Sequence, residues 1–420
     1  MKVKNCLKKI GLSIVSLYLS IFLLFNSIAF ADDEEFEDLE LEDVTEIIET
    51  SAETENIPEI NSRAAVVIDR YSHKILYGKN EDKPRPMAST TKICTCIVVL
   101  ENARLDDTVT VSKKAGGTGG SRLGLKTNDQ ITVNDLLYGL MLCSGNDCAV
   151  ALAEHVGGSV EEFANLMNKK AEELKLKNTH FVTPHGLDSD GHYTTAYELA
   201  ILADYGLKID KFKEIVGTKN YNVTINGNSK NINNTNELLG SLNGVYGVKT
   251  GFTNGANRCL VTSIKREDLD IICVVLGADT KKFRTLDSVK LIEYSFKNYK
   301  VINVESIVRS RFDNYKNNEE IQINVDKGLS NSVSIGLEEI KTKVLPLTSE
   351  EERNIEIMVH IQEKVEAPVE ENVCIGKMEI LIDKKIAEEV DIVTTNSIKR
   401  KGISDYIKEF FREYEKINIL

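Results

Sequence analysis

The chain has 420 residues, 42% hydrophobic and 28% charged, the balance of a soluble globular protein long enough for two domains. Its formal charge of −13 is concentrated near one end. Residues 32–60 hold fourteen Asp and Glu and no Lys or Arg; without these and the four lysines at 2, 4, 8 and 9, the remainder carries −3. A near-neutral body with no basic patch argues against nucleic acid as a partner, and no Cys-x-x-Cys or Cys/His cluster has metal spacing.

The four lysines precede the apolar run Ile10 to Phe30, and Ala29-Phe30-Ala31 offers a small-x-small cleavage site. Residues 1–31 therefore read as a signal peptide and the protein as exported. The run is nearly long enough to span a bilayer, which leaves an uncleaved anchor as the alternative. Residues 32–60 read as a solvated, disordered acidic spacer. Loss of Cys6 with the signal would leave seven cysteines, mostly within apolar runs, which reads as buried packing and not as a disulfide framework.

A first domain is expected over 61–298. Ala64 to Asp69 reads as a buried strand paired with Lys74 to Tyr77, and a buried helix opens at Ser89 and runs to Glu101. Thr108 to Ser112 reads as a strand, and the glycine run from Ala115 to Ser121, lacking a Gly-Lys-Ser/Thr ending, as a mobile turn. Helices are expected over 135–142 and 147–155, broken at Ser144-Gly145-Asn146, and after the N-cap signals at Ser159 and Thr195. Strands follow at Val245 to Lys249, Leu260 to Ile264 and Leu269 to Leu276, then a helix from Lys281 to Asn298. Strands covered by helices give an α+β plan.

Alternating runs such as Ile355 to Ile361 and Met378 to Ile382 indicate a small all-β domain over 299–397. Residues 398–420 end the chain with Ile403, Tyr406, Ile407, Phe410, Phe411, Tyr414 and Ile417, an apolar stripe at helical period. Such a helix either docks on its own domain or lies on a membrane surface.

Three short motifs carry chemistry. Ser89 and Lys92 are three apart on a helix and share a face, so hydroxyl and amine can meet. A serine becomes a nucleophile when a neighbouring base takes its proton, and a desolvated lysine can be that base. Ser144-Gly145-Asn146 lies at a helix–helix break, and Lys249-Thr250-Gly251 at a strand end. A Ser-x-x-Lys, a Ser-x-Asn and a Lys-Thr-Gly in this order form the set of penicillin-binding proteins and class A β-lactamases. In that chemistry Ser89 attacks an amide carbonyl, Lys92 takes its proton, Ser144 relays a proton to the leaving amine, and Asn146 orients Lys92 and the substrate. Lys249 and Thr250 bind a substrate carboxylate, Gly251 lets the backbone approach, and the N–H groups of Ser89 and Phe252 hold the oxyanion.

From about Ser62 onward the chain resembles a low-molecular-mass penicillin-binding protein, a serine D-alanyl-D-alanine carboxypeptidase. The likeness includes 176–181, His185-Gly186-Leu187-Asp188 and Ala367-Pro368-Val369. It implies a β-lactamase/transpeptidase-like catalytic domain, an antiparallel sheet flanked by helices, with a C-terminal β-domain and an amphipathic terminal helix. It implies release of D-alanine from peptidoglycan stem pentapeptides, covalent inhibition by β-lactams, and no cofactor or metal. It also places Arg284 where similar enzymes keep a basic residue for the substrate's carboxylate; the alternative is a surface arginine starting a helix. Some relatives carry His where this chain has Phe252. A D,D-endopeptidase, a β-lactamase or an inactive β-lactam-binding module are the rival functions. The β-domain, and the lack of a Glu-rich loop between the second and third motifs, count against a β-lactamase.

Overall fold

The computed structural model describes residues 57–317 and 323–417. The expected signal sequence, and the acidic leader up to residue 56, lie outside the described residues. The chain divides into two compact units, one ending at Lys297 and the other beginning at Asn298.

The first unit is built on β1 (Ala64–Asp69), β2 (Ile75–Lys79), α1 (Lys92–Asn102), β3 (Thr108–Thr110), α2 (Lys113–Gly116), β4 (Gln130–Thr132), α3 (Val133–Met141), α4 (Asn146–Gly157), α5 (Val160–Glu173), α6 (Ala196–Leu207), α7 (Asp210–Val216), β5 (Asn220–Ile225), β6 (Asn228–Asn233), β7 (Val245–Thr253), β8 (Asn257–Arg266), β9 (Leu269–Ala278) and α8 (Lys281–Asn298). Five strands form one antiparallel sheet in the order β2-β1-β9-β8-β7. Both faces are covered, which explains the unbroken apolar runs in β1 and β9. Ile272, Val274 and Leu276 enter the core shared with α1 to α7, while Cys273 on the other face lies against Ser288 of α8. Side-chain oxygens of Thr132, Ser159 and Thr195 cap α3, α5 and α6, the last two as their sequence signals predict.

Three expectations change. The helix expected from Ser89 starts as a tight 3-10 turn, Ala88–Thr91, and becomes α-helical only at Lys92. β7 does not end at the Lys-Thr-Gly motif but continues to Thr253. The hairpin β5–β6 was not foreseen, although Asn226-Gly227 is a two-residue turn signal and both residues have positive φ, 51° and 78°.

The second unit contains a four-stranded antiparallel sheet and two small strand pairs around its own apolar core. It also holds a helix, Val304–Asn317, whose Val304, Val308 and Phe312 are buried at spacing i, i+4, i+8. The unit ends in the helix Ile403–Ile417. Along it Ile403, Tyr406, Ile407, Phe410, Phe411 and Tyr414 are exposed by 46–83%, so the apolar stripe is undocked. Among the described residues no helix is long and apolar enough to cross a membrane.

Candidate active site

The sequence places Ser89 at the turn that opens α1, and the turn is tightly constrained. Ala88 adopts φ 49°, a conformation costly for a residue with a Cβ, and is 1% exposed. Thr91 Oγ1 donates to the Ala88 carbonyl at 2.8 Å, closing the turn. One step further, Lys92 enters the first helical turn with its side chain on the Ser89 face. Lys92 is fully buried and its Nζ donates to Ser89 Oγ at 2.7 Å, Asn146 Oδ1 at 2.7 Å and the His185 carbonyl at 2.9 Å. Serine hydroxyl, amine and amide thus meet through direct bonds, and an amine that gives up the hydrogen it donates to Ser89 could turn its lone pair on that hydroxyl as a base.

Asn146 is the first residue of α4 and is itself fixed by the glycine-rich loop. Its Nδ2 donates to the Gly119 carbonyl at 2.8 Å and its N–H to the Ser121 carbonyl at 2.7 Å. Next to it, the Asp147 carboxylate accepts from the N–H groups of Leu123, Gly124 and Leu125 at 2.8–2.9 Å. The loop expected to be a mobile turn is therefore tied to the second motif. Sequence reasoning missed Asp147, since four residues of separate loop and helix must meet for its role to appear. Ser144 sits between the two helices at φ 60° and is 6% exposed.

β7 is the edge strand of the sheet, so every other N–H and C=O on its outer side is left unpaired by β8. That free edge lies against the turn that carries Ser89. A Cβ built on Gly251 would stand 3.1 Å from the Ser89 nitrogen and 3.2 Å from the Met87 carbonyl oxygen, so a larger residue would crowd the Ser89 amide. Thr250 bonds to Thr235 between the two hydroxyls at 2.7 Å, and buried Lys249 donates to the Thr250 carbonyl at 3.1 Å. Phe252 carries the Arg258 guanidinium over its ring, 3.9 Å from the centroid.

Arg284 stands apart from these residues. It is 2% exposed, not a surface arginine, and its guanidinium is bonded to Glu237, which also accepts from Thr285. Burial would raise the Glu237 carboxyl, but the Arg284 charge and these hydrogen bonds hold it below its ordinary range.

The loop 183–192 buttresses the turn from behind. Asp188 accepts from Thr253 Oγ1 at 2.6 Å and Gly255 N–H at 2.9 Å, tying the loop to the end of β7. His192 Nδ1 accepts from the Val182 N–H at 2.9 Å, so its hydrogen sits on Nε2, aimed at Thr91 Oγ1 at 2.8 Å. Burial pushes His185 down to about 3, helped by Lys92, and His192 down to about 4. At neutral pH both rings are therefore uncharged in the folded protein.

These depressed values carry a stability consequence. Unfolded histidine titrates near 6.5, so between that pH and about 4 the unfolded chain binds protons that the folded one refuses. Stability is full above 6.5 and falls on acidification, by about 1.4 kcal/mol per pH unit for each histidine. Urea unfolding at pH 7.5 and 5.0 checks this. His192→Gln, which keeps one donor and one acceptor, is expected to lose less stability over that interval; an equal loss would show that His192 titrates normally.

The thiols flanking the second motif are not poised for oxidation chemistry. Burial pushes Cys143 up to about 11, and burial with the neighbouring Asp147 raises Cys148 well above its ordinary value. Cys94, Cys96, Cys148, Cys259 and Cys273 are buried, and Cys374, in the second unit, is exposed.

The arrangement of Ser89, Lys92 and Asn146 beside a Lys-Thr-Gly edge strand has counterparts among known proteins. Residues 50–280, more than half of the chain, match the family described as D-alanyl-D-alanine carboxypeptidase. The chain belongs to this family. As a family member it is a serine-type hydrolase, and residues 311–400 match the C-terminal domain of penicillin-binding protein 5. It is 32% identical over 362 residues to D-alanyl-D-alanine carboxypeptidase DacF of Bacillus subtilis, covering 84% of this chain and 90% of the relative. It is also 32% identical over 371 residues to DacC of Escherichia coli, covering 85% and 89%. Penicillin-binding protein 5 of Haemophilus influenzae superposes with a TM-score of 0.66 at 28% identity, over 82% of this chain and 99% of that one. The DD-transpeptidase of Streptomyces K15 gives 0.55 at 34% identity over 58% of this chain and 99% of that one. The expected fold class, a β-lactamase/transpeptidase-like domain followed by a β-rich C-terminal domain, is the one found.

Proposed function

We propose that this family member works outside the cytoplasmic membrane, removing the terminal D-alanine from peptidoglycan stem pentapeptides through an acyl-Ser89 intermediate. The observation that carries the reading is the 2.7 Å contact between Ser89 Oγ and the Nζ of buried Lys92. Ser89 Oγ attacks the carbonyl of the last peptide bond while its proton passes to Lys92. The oxyanion is held by the N–H groups of Ser89 and Phe252. Collapse breaks the C–N bond, Ser144 gives its proton to the departing amine and is replenished by the one Lys92 took from Ser89, and D-alanine leaves with Lys92 neutral again. Water then attacks the ester, neutral Lys92 takes the water's proton, and it passes that proton to Ser89 Oγ as the ester bond breaks. Lys249 and Thr250 receive the substrate's carboxylate, and Asn146 holds Lys92 and the substrate amide in place. A β-lactam carbonyl enters the same trap and forms an ester that hydrolyses slowly. Incubation of the mature protein with a stem pentapeptide, followed by mass spectrometry, is expected to show a tetrapeptide and free D-alanine. An unchanged pentapeptide would overturn the reading.

The helix Ile403–Ile417 supports a place at the membrane surface. Six apolar or aromatic side chains on it are exposed, and burying even part of each, at about 1.5–3 kcal/mol for full burial, suffices for reversible binding. Lysines and acids are mixed along its polar face, so binding is expected to depend weakly on salt. Mature protein is expected to sediment with phospholipid vesicles, and a form lacking 399–420 to stay in the supernatant while still folded. Two supernatant forms, or an unfolded truncation, would make the helix a purely structural element.

A further inference from the structure

Two segments beside the site share an unusual charge balance. Residues 108–128 carry Lys113, Lys114, Arg122 and Lys126, residues 217–236 carry Lys219 and Lys230, and neither segment contains an Asp or Glu, in a chain of formal charge −13. No single run of the sequence is basic; the fold gathers the cations. Lys230 of β6 donates through Nζ to the Leu123 carbonyl, which joins the β5–β6 hairpin to the glycine-rich loop. A Cβ on Gly116 would stand 2.9 Å from the Thr127 nitrogen and 3.1 Å from the Lys126 carbonyl carbon, so α2, with Lys113 and Lys114, packs on the same loop. Lys113, Lys114, Arg122, Lys126 and Lys230 are all exposed. The acids that meet them are fewer. Glu161 pairs with Lys114 at 3.5 Å, Asp129 accepts from the Lys126 N–H, and buried Asp147 accepts from N–H groups of the loop. This basic face reaches the site at two points. The Gly119 and Ser121 carbonyls hold Asn146 of the second motif, and Thr235, where the hairpin segment ends, bonds to Thr250 of the third.

We infer that this basic face holds the polymeric substrate, binding the carboxylates of neighbouring stem peptides on one glycan strand while Ser89 works on another stem of that strand. The inference rests on the carboxypeptidase reading above and adds a surface outside the catalytic residues. A stem pentapeptide ends in a free carboxylate, and release of D-alanine leaves a new one, so a strand is a row of anions before and after turnover. A surface of opposite sign raises the local concentration of such a chain and speeds its encounter with the site. Each exposed ion pair is weak alone. Several made by one strand reinforce each other, because after the first the rest are intramolecular. Lysine and arginine remain charged at neutral pH, so the face stays positive where the enzyme works. A free pentapeptide, with its single chain end in the active site, has no second stem to offer. The face therefore acts on KM for strands and leaves the Ser89–Lys92 chemistry untouched.

The test compares D-alanine release from uncross-linked glycan strands bearing pentapeptides with release from the free pentapeptide. The variant is Lys113→Gln/Lys114→Gln/Arg122→Gln/Lys126→Gln, which removes four exposed charges and spares Lys230, whose bond shapes the loop. Its KM for strands, counted per stem, is expected to rise about tenfold, the worth of several weak ion pairs lost together. Its kcat on strands and its kcat/KM on the free pentapeptide are expected to stay within about twofold of the parent's, with an unchanged melting temperature. A second arm needs no mutation. Raising salt from 0.05 to 0.5 M shortens the reach of exposed charges from about 14 to about 4 Å, and should raise the parent's strand KM towards the variant's while moving the variant little. If the variant does not fold, this arm decides. A variant strand KM equal to the parent's, or a parent strand KM that salt leaves unmoved, overturns the proposal. An equal loss on strands and free pentapeptide overturns it too, since the four side chains would then serve the active site itself. A parent enzyme that cleaves neither substrate overturns the carboxypeptidase reading, a result distinct from an unmoved strand KM.

Discussion

Ser89→Ala is expected to abolish both D-alanine release and covalent labelling by penicillin. Removing the serine nucleophile from another serine peptidase costs about a millionfold in kcat, because the rest of the machinery cannot replace the bond it makes. Here Lys92 would keep its bonds to Asn146 and the His185 carbonyl, so the cavity should hold its shape and the fold its stability. Intact-protein mass spectrometry after benzylpenicillin treatment reads the outcome directly. Parent protein should gain the mass of one ring-opened penicillin, and the variant none. A penicillin adduct on the variant would mean that another hydroxyl is the nucleophile, with Ser144 the first to examine.

Gly186→Ala is expected to be nearly as damaging, although Gly186 has no part in the proposed proton transfers. Gly186 has φ 87°, which a Cβ disfavours, and an ideal Cβ there would lie 1.9 Å from the Ala88 carbonyl oxygen and 2.6 Å from Thr91 Oγ1. Neither neighbour can yield without reshaping the turn that aims Ser89. Displacing a reacting group by about 1 Å costs on the order of a hundredfold, and strain of this kind adds about 1–3 kcal/mol. The acylation rate with penicillin should therefore fall by about a hundredfold and the melting temperature with it. An acylation rate within threefold of the parent would show that the loop 183–192 is only loosely coupled to the nucleophile.

Sequence patterns carried the local part of this architecture well. The Ser-x-x-Lys spacing needs only helical geometry to bring hydroxyl and amine together, and N-cap signals at Ser159 and Thr195 need only the next turn. What the sequence hid were contacts between distant segments. The glycine run reads as mobile because glycine lacks side-chain partners, yet its carbonyls are the acceptors that fix Asn146. Gly251 disguised the continuation of β7, since glycine is a poor strand former and is tolerated here by the close approach of Ser89. The basic residue at 284 was visible, but its neutralising carboxylate, 47 residues earlier, could be matched to it only in three dimensions.

Burial of the thiols has a practical reach beyond the chemistry of the site. Among the described residues of the first unit five cysteines are buried, and Cys143 is only partly accessible and resists ionising. Cys374, on a strand of the β-rich unit, is the exposed thiol among the described residues. A maleimide dye should therefore favour Cys374 over the other described cysteines of the native protein, without mutagenesis. Its attachment site is remote in sequence from every residue of the proposed mechanism, so the labelled enzyme should keep its turnover. Such a conjugate would let fluorescence follow the β-rich unit as the protein meets a lipid surface.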